Sequence, residues 1–173
     1  MALELNGTTG VSLVQDGVIT DANLPAGSVI QVIQGDKLAV NFTNATTSYV
    51  DIGISASITP SSTSNKVLVL AQFLQNAREN SGSSTEIQTA VILTDGSDNS
   101  IYQPYTTSLG QLSLYMNTGA TGGDHDIWSI GVINQLHSPS TTSSFTYKLR
   151  GRNLTGDYCR VRGGQIILME IAG

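Results

Sequence analysis

Over 173 residues with a formal net charge of −5, hydrophobic side chains make up 39 % of the chain and charged ones only 12 %. That length suffices for one domain with a sizeable core, and the acidic balance speaks against a nucleic-acid partner. Polarity comes mainly from 20 serines and 19 threonines, which suit β-surfaces and turns; so little charge leaves little repulsion between copies, as in assembled or fibrous β proteins rather than metabolic enzymes.

Residues 1–27 carry turn signals at Asn6-Gly7 and Asp16-Gly17 around a short apolar piece, Val11 to Val14, and cannot build a core of their own. They are expected to form an extended N-terminal arm for attachment or subunit contact, leaving residues 28–173 as one β domain. No apolar run follows Met1, so no signal peptide is expected. No stretch approaches the roughly 18 apolar residues of a membrane span. The expectation is a product of the cytoplasm that leaves it only within a larger assembly.

From Ser28 onward strand signals come thickly. Segments 28–34 and 38–42 are expected to pair as a hairpin across Gly35, Asp36 and Lys37. The clearest strand is 49–58, where Val50, Ile52, Ile54, Ala56 and Ile58 alternate with Asp51, Gly53, Ser55 and Ser57, the period of a half-buried strand. After the polar turn 59–65 comes 66–73. Val67, Leu70, Ala71, Leu74 and Ala77 also fit a helix there, but the β-branched start favours a strand. Further strands are expected at 86–94, 101–105, 112–116, 127–136, 145–150, 158–162 and 165–171. The loop 95–100 reads as a β-turn, because it lacks the alternating acids and terminal glutamate of a calcium loop. About ten short strands at this spacing predict an all-β, antiparallel sandwich or barrel.

Two of these strands are apolar on both sides. Leu68 and Leu70 stand opposite Val67, Val69 and Ala71, and Ile167 and Met169 opposite Ile166 and Leu168. A strand with one face in water does not read this way. Either a loop or another subunit covers the second face, and the sparse charge favours a homo-oligomer. Leu68, Leu70, Ile167 and Met169 are therefore the candidate subunit-interface residues.

Chemical motifs are few. There is no nucleophile elbow, no zinc-protease helix motif, no Walker loop and no dinucleotide fingerprint; no enzyme is expected, and no catalytic residue, metal or cofactor is assigned. Asp124, His125 and Asp126 are candidate cation ligands, yet three consecutive residues cannot converge on one ion unaided, so a solvated loop is expected. His137 reads as a loop residue, and the lone Cys159 as a buried structural thiol. Arg150, Arg152, Arg160 and Arg162 crowd around 151–157 and suggest an exposed basic hairpin rather than a phosphate site. Tyr102, Tyr105, Tyr115 and Trp128 have rings that can stack on sugars, although a core or interface role competes. Tyr102, Tyr105 and Trp128 are kept as candidate contacts for a surface glycan.

The run Leu24-Pro25-Ala26-Gly27-Ser28-Val29-Ile30-Gln31-Val32 resembles the entry to small β domains at the tips of bacteriophage tail fibres, and to free-standing phage virion proteins of the same architecture. Ile58-Thr59-Pro60-Ser61-Ser62-Thr63-Ser64-Asn65-Lys66-Val67-Leu68-Val69 is similar to a turn of those domains. Ile166-Ile167-Leu168-Met169-Glu170-Ile171 is similar to their last strand, and Leu5-Asn6-Gly7-Thr8-Thr9-Gly10 to their leader. The resemblance implies a jelly-roll-like sandwich, commonly trimeric, built into a virion, and it implies no catalytic residues. With no long shaft or large anchoring domain before Ser28, a short capsid fibre, knob or decoration protein is expected. Its place would be the virion surface, after assembly in the host cytoplasm, held to other virion proteins through residues 1–27. A receptor-binding tail-fibre tip is one alternative. A soluble lectin-like module is another, and hydrolysis of a host polysaccharide through Asp124 or Asp126 a third.

Overall fold

The computed structural model describes residues 24–37, 41–80, 86–101, 112–117 and 124–173. Among these the chain is all-β, with antiparallel sheets and no helix, and so with no helix that could cross a membrane. The strands are β1 (Val29–Lys37), β2 (Phe42–Asn44), β3 (Val50–Ile58), β4 (Lys66–Glu79), β5 (Glu86–Asp95), β6 (Leu112–Asn117), β7 (His125–His137), β8 (Phe145–Thr155) and β9 (Tyr158–Ile171). One sheet runs β1-β9-β4-β7, with β2 also on β9; the other runs β3-β8-β5-β6. From β2 onward the chain changes sheet at every step except β5 to β6.

The alternation in β3 holds from Ile52 onward: Ile52, Ile54, Ala56 and Ile58 point inward and are buried, whereas Val50, ahead of a register shift, is exposed. They meet Tyr147 and Leu149 of β8 and Val91 and Leu93 of β5 on their own sheet. Across from them lie Val67, Val69, Ala71 and Phe73 of β4, Val161, Ile166 and Leu168 of β9, and Ile133 of β7. Burying each such side chain contributes about 1.5–3 kcal/mol. This single layer between two sheets is the arrangement of a β-sandwich.

Three expectations are corrected. The hairpin across Gly35 does not form: β1 continues to Lys37, and β1 and β2 each pair with β9 instead of with each other. Gly35 serves close approach rather than a turn, since a Cβ there would lie 2.3 Å from the Ser55 carbonyl oxygen and 2.4 Å from Ala56 Cβ. It lets β1 press onto β3, where the Ser55 hydroxyl donates to Asp36 Oδ2 at 2.8 Å. Secondly, 158–162 and 165–171 are one strand interrupted by a bulge, with Phe73 opposite Gly164 and Leu74 opposite Arg162. The extra residue, Gly163, takes φ +60° and Gly164 φ +144°, conformations that suit glycine. Thirdly, the basic hairpin is absent, because β8 and β9 belong to different sheets and the turn at Gly156 and Asp157 crosses between them.

β4 is a strand, as the β-branched start predicts, but it extends six residues past Phe73 to Glu79. Its polar tail is largely buried: Gln75 Nε2 donates to Thr89 Oγ1 at 2.7 Å and Asn76 Nδ2 to the Ile127 carbonyl at 2.9 Å, while Asn76 Oδ1 meets no hydrogen-bond donor among the described residues. The turn at 95–100 closes on Asp95, whose Oδ1 accepts from the Ser97 and Asn99 amides at 2.8 and 2.9 Å. The expected strand 101–105 lies outside the described residues beyond Ile101, as does the expected arm before Leu24. Near the first described residues, the Gly27 amide donates to the Ala172 carbonyl at 2.8 Å.

At the end of the sandwich where β3 turns into β4 lies a buried carboxylate. Glu170, fully buried on β9, accepts from the Ser61 amide (2.7 Å), the Ser61 hydroxyl (2.8 Å), Asn65 Nδ2 (2.7 Å) and Gln31 Nε2 (2.5 Å). It ties β1, the 59–65 turn and β9 together. Burial raises its pKa, but the bonds from Gln31, Asn65 and Ser61 outweigh that and hold it below the ordinary carboxylate value.

Candidate functional site, an apolar sheet face

In an antiparallel ladder, directly paired residues share a face, so the register defines what each outer surface presents. On the β1-β9-β4-β7 sheet, Leu68 pairs with Met169 on one side and Leu136 on the other, and Leu70 with Ile167 and Asn134. The next outward rows are Lys37, Gln165, Gln72 and Val132, then Arg162, Leu74 and Ile130, then Arg160, Asn76 and Trp128. On the far side Val32 pairs with Met169 and Gln34 with Ile167. The four candidate interface residues thus form one two-by-two block, partly buried, with Val67, Val69, Ile166 and Leu168 behind them in the core.

Around that block the surface is open. Ile130 is 73 % exposed, Val32 54 %, Val132 51 %, Leu136 49 %, Trp128 37 % and Leu74 36 %. β7 explains most of this, because it is turned inside out. Its more apolar side, Trp128, Ile130, Val132 and Leu136, faces outward, while Ser129, Gly131, Ile133 and Gln135 share the inward side. The ladder with β4 enforces the choice, since Val69 and Ala71 must point to the core and their partners Gln135 and Ile133 go with them. Sequence reasoning found the inner block but missed Val32, Ile130, Val132 and Leu136. The alternation of 127–136 shows that one side of the strand is apolar but not that this side faces outward, since the apolar set is naturally read as the buried one.

The opposite sheet is different in kind. Its outward residues include Asp51, Ser55, Ser57, Thr146, Lys148, Arg150 and Arg152. Lys148 Nζ lies 2.5 Å from Asp98 Oδ1, Arg150 Nη1 3.4 Å from Asp98 Oδ2, and the Arg152 guanidinium 4.4 Å from the Tyr49 ring centroid. Arg160 and Arg162 instead lie on the apolar sheet, stacked over Tyr158 at 4.7 Å and Trp128 at 4.8 Å. The four arginines that crowd together in sequence are therefore divided between the two outer faces.

Other candidates fall into place or apart. Trp128 belongs to the apolar face and its ring carries Arg162. Tyr115 stands on the other sheet, its hydroxyl 3.0 Å from Glu86 Oε1. Tyr102 and Tyr105 lie outside the described residues. The solvated loop expected at 124–126 is corrected: His125 and Asp126 open β7 against β4, where Asp124 and Asp126 are engaged by Arg78, at 3.3 and 3.7 Å, and Asp126 also accepts from Asn76. Among the described residues no three His, Cys, Asp or Glu side chains are grouped to hold a metal ion. His137 is corrected from a loop to the last residue of β7, its Nδ1 2.8 Å from the Tyr147 hydroxyl and its ring against Phe145. Burial lowers its pKa, against a smaller opposing effect of Asp95. Cys159 is fully buried, and burial pushes its thiol up to about 12, which leaves it protonated and inert at neutral pH. No family model matches the chain, and no curated protein matches it.

Proposed function

We propose that the chain is a bacteriophage virion structural protein, a short fibre, knob or decoration protein of the particle surface, that works as a homotrimer. The observation that carries the assembly part is the outward apolar side of β7 beside the Leu68, Leu70, Ile167 and Met169 block. Contiguous apolar patches on monomers rarely exceed a few hundred Å², and here one outer face is greasy while the other is ion-paired. That asymmetry supports packing between copies. The strand order β1-β9-β4-β7 over β3-β8-β5-β6, with the chain alternating between sheets, supports the jelly-roll form of the sandwich, an architecture shared by viral capsid and lectin domains. The virion assignment and the number three rest on the resemblance of the 24–32, 58–69 and 166–171 segments. In this reading residues 1–27 meet other virion proteins, and the product is assembled in the host cytoplasm.

The test is location. Antibody raised against the purified chain labels the surface of intact particles of the phage that encodes it; failure to label, with no copies in the washed particle by mass spectrometry, rejects the virion reading. Adsorption of the purified chain to host cells would move the role to a receptor-binding tip. Saturable sugar binding by a monomer, abolished by Trp128→Ala, would favour the lectin-like alternative, for which the exposed part of Trp128 is the supporting feature.

A further inference from the structure

Resting on that reading of assembly, the geometry points to how the copies meet: Ile130 of one copy seats in the hollow that the Gly163-Gly164 bulge opens on the next. The hollow measures about 400 Å³ and is lined by Phe73, Leu74, Arg162, Gly163 and Gly164, with the same chain's Ile130 on its border. Its origin is local. Where β9 inserts an extra residue, two glycines replace the side chains that would otherwise continue the outer row between Arg162 and Gln165. Through Gln72 and Gln165 it joins a second hollow of about 240 Å³ beside Leu70, Val132 and Ile167. Together they form a trough along the middle of the sheet face.

Beside this trough rises Ile130, the most exposed of the large hydrophobic side chains on the described surface. A knob beside its own hollow is a self-complementary patch, which two copies satisfy by exchanging knobs about a two-fold axis and three by passing them in one sense round a three-fold axis. The face raises no electrostatic objection. From Val32 to Ile130 its outward rows hold Gln34, Gln72, Asn134 and Gln165 among the apolar residues, no carboxylate, and two cations. Of these, Lys37 lies on β1 at the edge of the sheet, and Arg162 already lies over Trp128 of its own chain. Taking roughly 150–200 Å² for a fully exposed large side chain, the six open apolar residues leave roughly 500 Å² bare. With the amides around them this approaches the ~800 Å² per partner of a standard interface.

The test is light scattering on the full chain at tens of micromolar, comparing wild type with Ile130→Asp, Gly163→Asn and, on the opposite face, Ser57→Asp. Asn is chosen because it tolerates φ near +60°, and a Cβ at Gly163 meets nothing within 4 Å; the side chain then fills the hollow of a folded chain, which circular dichroism verifies. The expected result is an oligomeric wild type and Ser57→Asp, with association weakened roughly thirtyfold by Ile130→Asp, the scale of a central interface residue, and a similar loss for Gly163→Asn. An oligomer that tolerates Ile130→Asp overturns this contact and leaves assembly standing. A monomeric wild type overturns both.

Discussion

Replacing Glu170 with Gln tests the buried knot at the end of the sandwich. Oε1 accepts three bonds, from the Ser61 amide, the Ser61 hydroxyl and Asn65 Nδ2, while Oε2 accepts from Gln31 Nε2, which also donates to the Thr59 carbonyl at 2.9 Å. A glutamine can keep its oxygen toward Ser61 and Asn65, but its NH2 then meets the Gln31 NH2, donor against donor. Rotating the Gln31 amide to accept would turn its oxygen onto the Thr59 carbonyl. The substitution therefore converts charge-assisted bonds to neutral ones and leaves one donor unmet, together about 2–4 kcal/mol. For a chain of this size that lowers Tm by roughly 4–16 °C.

The pH dependence follows from the same bonds. The folded-state pKa lies below the ordinary 4.5, so the carboxylate's contribution is complete above the unfolded value and fades as pH falls through the folded one. Protonated Glu170 is neutral like the amide of the Glu170→Gln variant, and the gap between variant and wild type must narrow as pH falls below the unfolded value and close once it passes the lowered folded one. Urea melts at fixed protein concentration, at pH 7 and at intervals down to pH 3, read both effects. A variant within about 0.5 kcal/mol of wild type at pH 7, or a gap unchanged by acid, would refute the reasoning.

Three further outcomes are expected. Gly35→Ala places a methyl against the Ser55 carbonyl and Ala56 and costs about 1–3 kcal/mol by overpacking; a denaturant melt within about 0.5 kcal/mol of wild type would show that β1 does not press on β3. Cys159, buried with its thiol pushed up to about 12, reacts with an aromatic disulfide reagent only on unfolding, and rapid stoichiometric labelling of native protein at pH 8 contradicts its placement. Trp128 is the single tryptophan and stands on the apolar face, so its emission becomes more accessible to acrylamide as the assembly is diluted; quenching independent of concentration places that face away from any contact between copies.

The period-two pattern in 49–58 gave that strand directly, because a half-buried strand writes its two faces into the sequence, and apolar residues between turn signals gave 86–94 and 145–150. They carried no information about which strands pair. Gly35, Gly163 and Gly164 all look like turn glycines, yet one allows a close approach and two form a bulge; only the neighbours' positions distinguish these uses. Leu68, Leu70, Ile167 and Met169 were legible because their strands are apolar on both sides, which no isolated sandwich strand requires. Ile130 and Val132 were not, since β7 alternates like an ordinary half-buried strand and the ladder with β4 decides which half is buried. Glu170 was equally hidden, its four donors lying more than 100 residues away in sequence.

The mass of the native particle in solution bears most directly on the sheet face as a contact between copies. Across a dilution series from about 100 µM downward, the expected species has three times the mass of the 18.2 kDa chain and dissociates only at low concentration. A single 18.2 kDa species throughout, with the Leu68, Ile130 and Met169 face open to solvent, would contradict it.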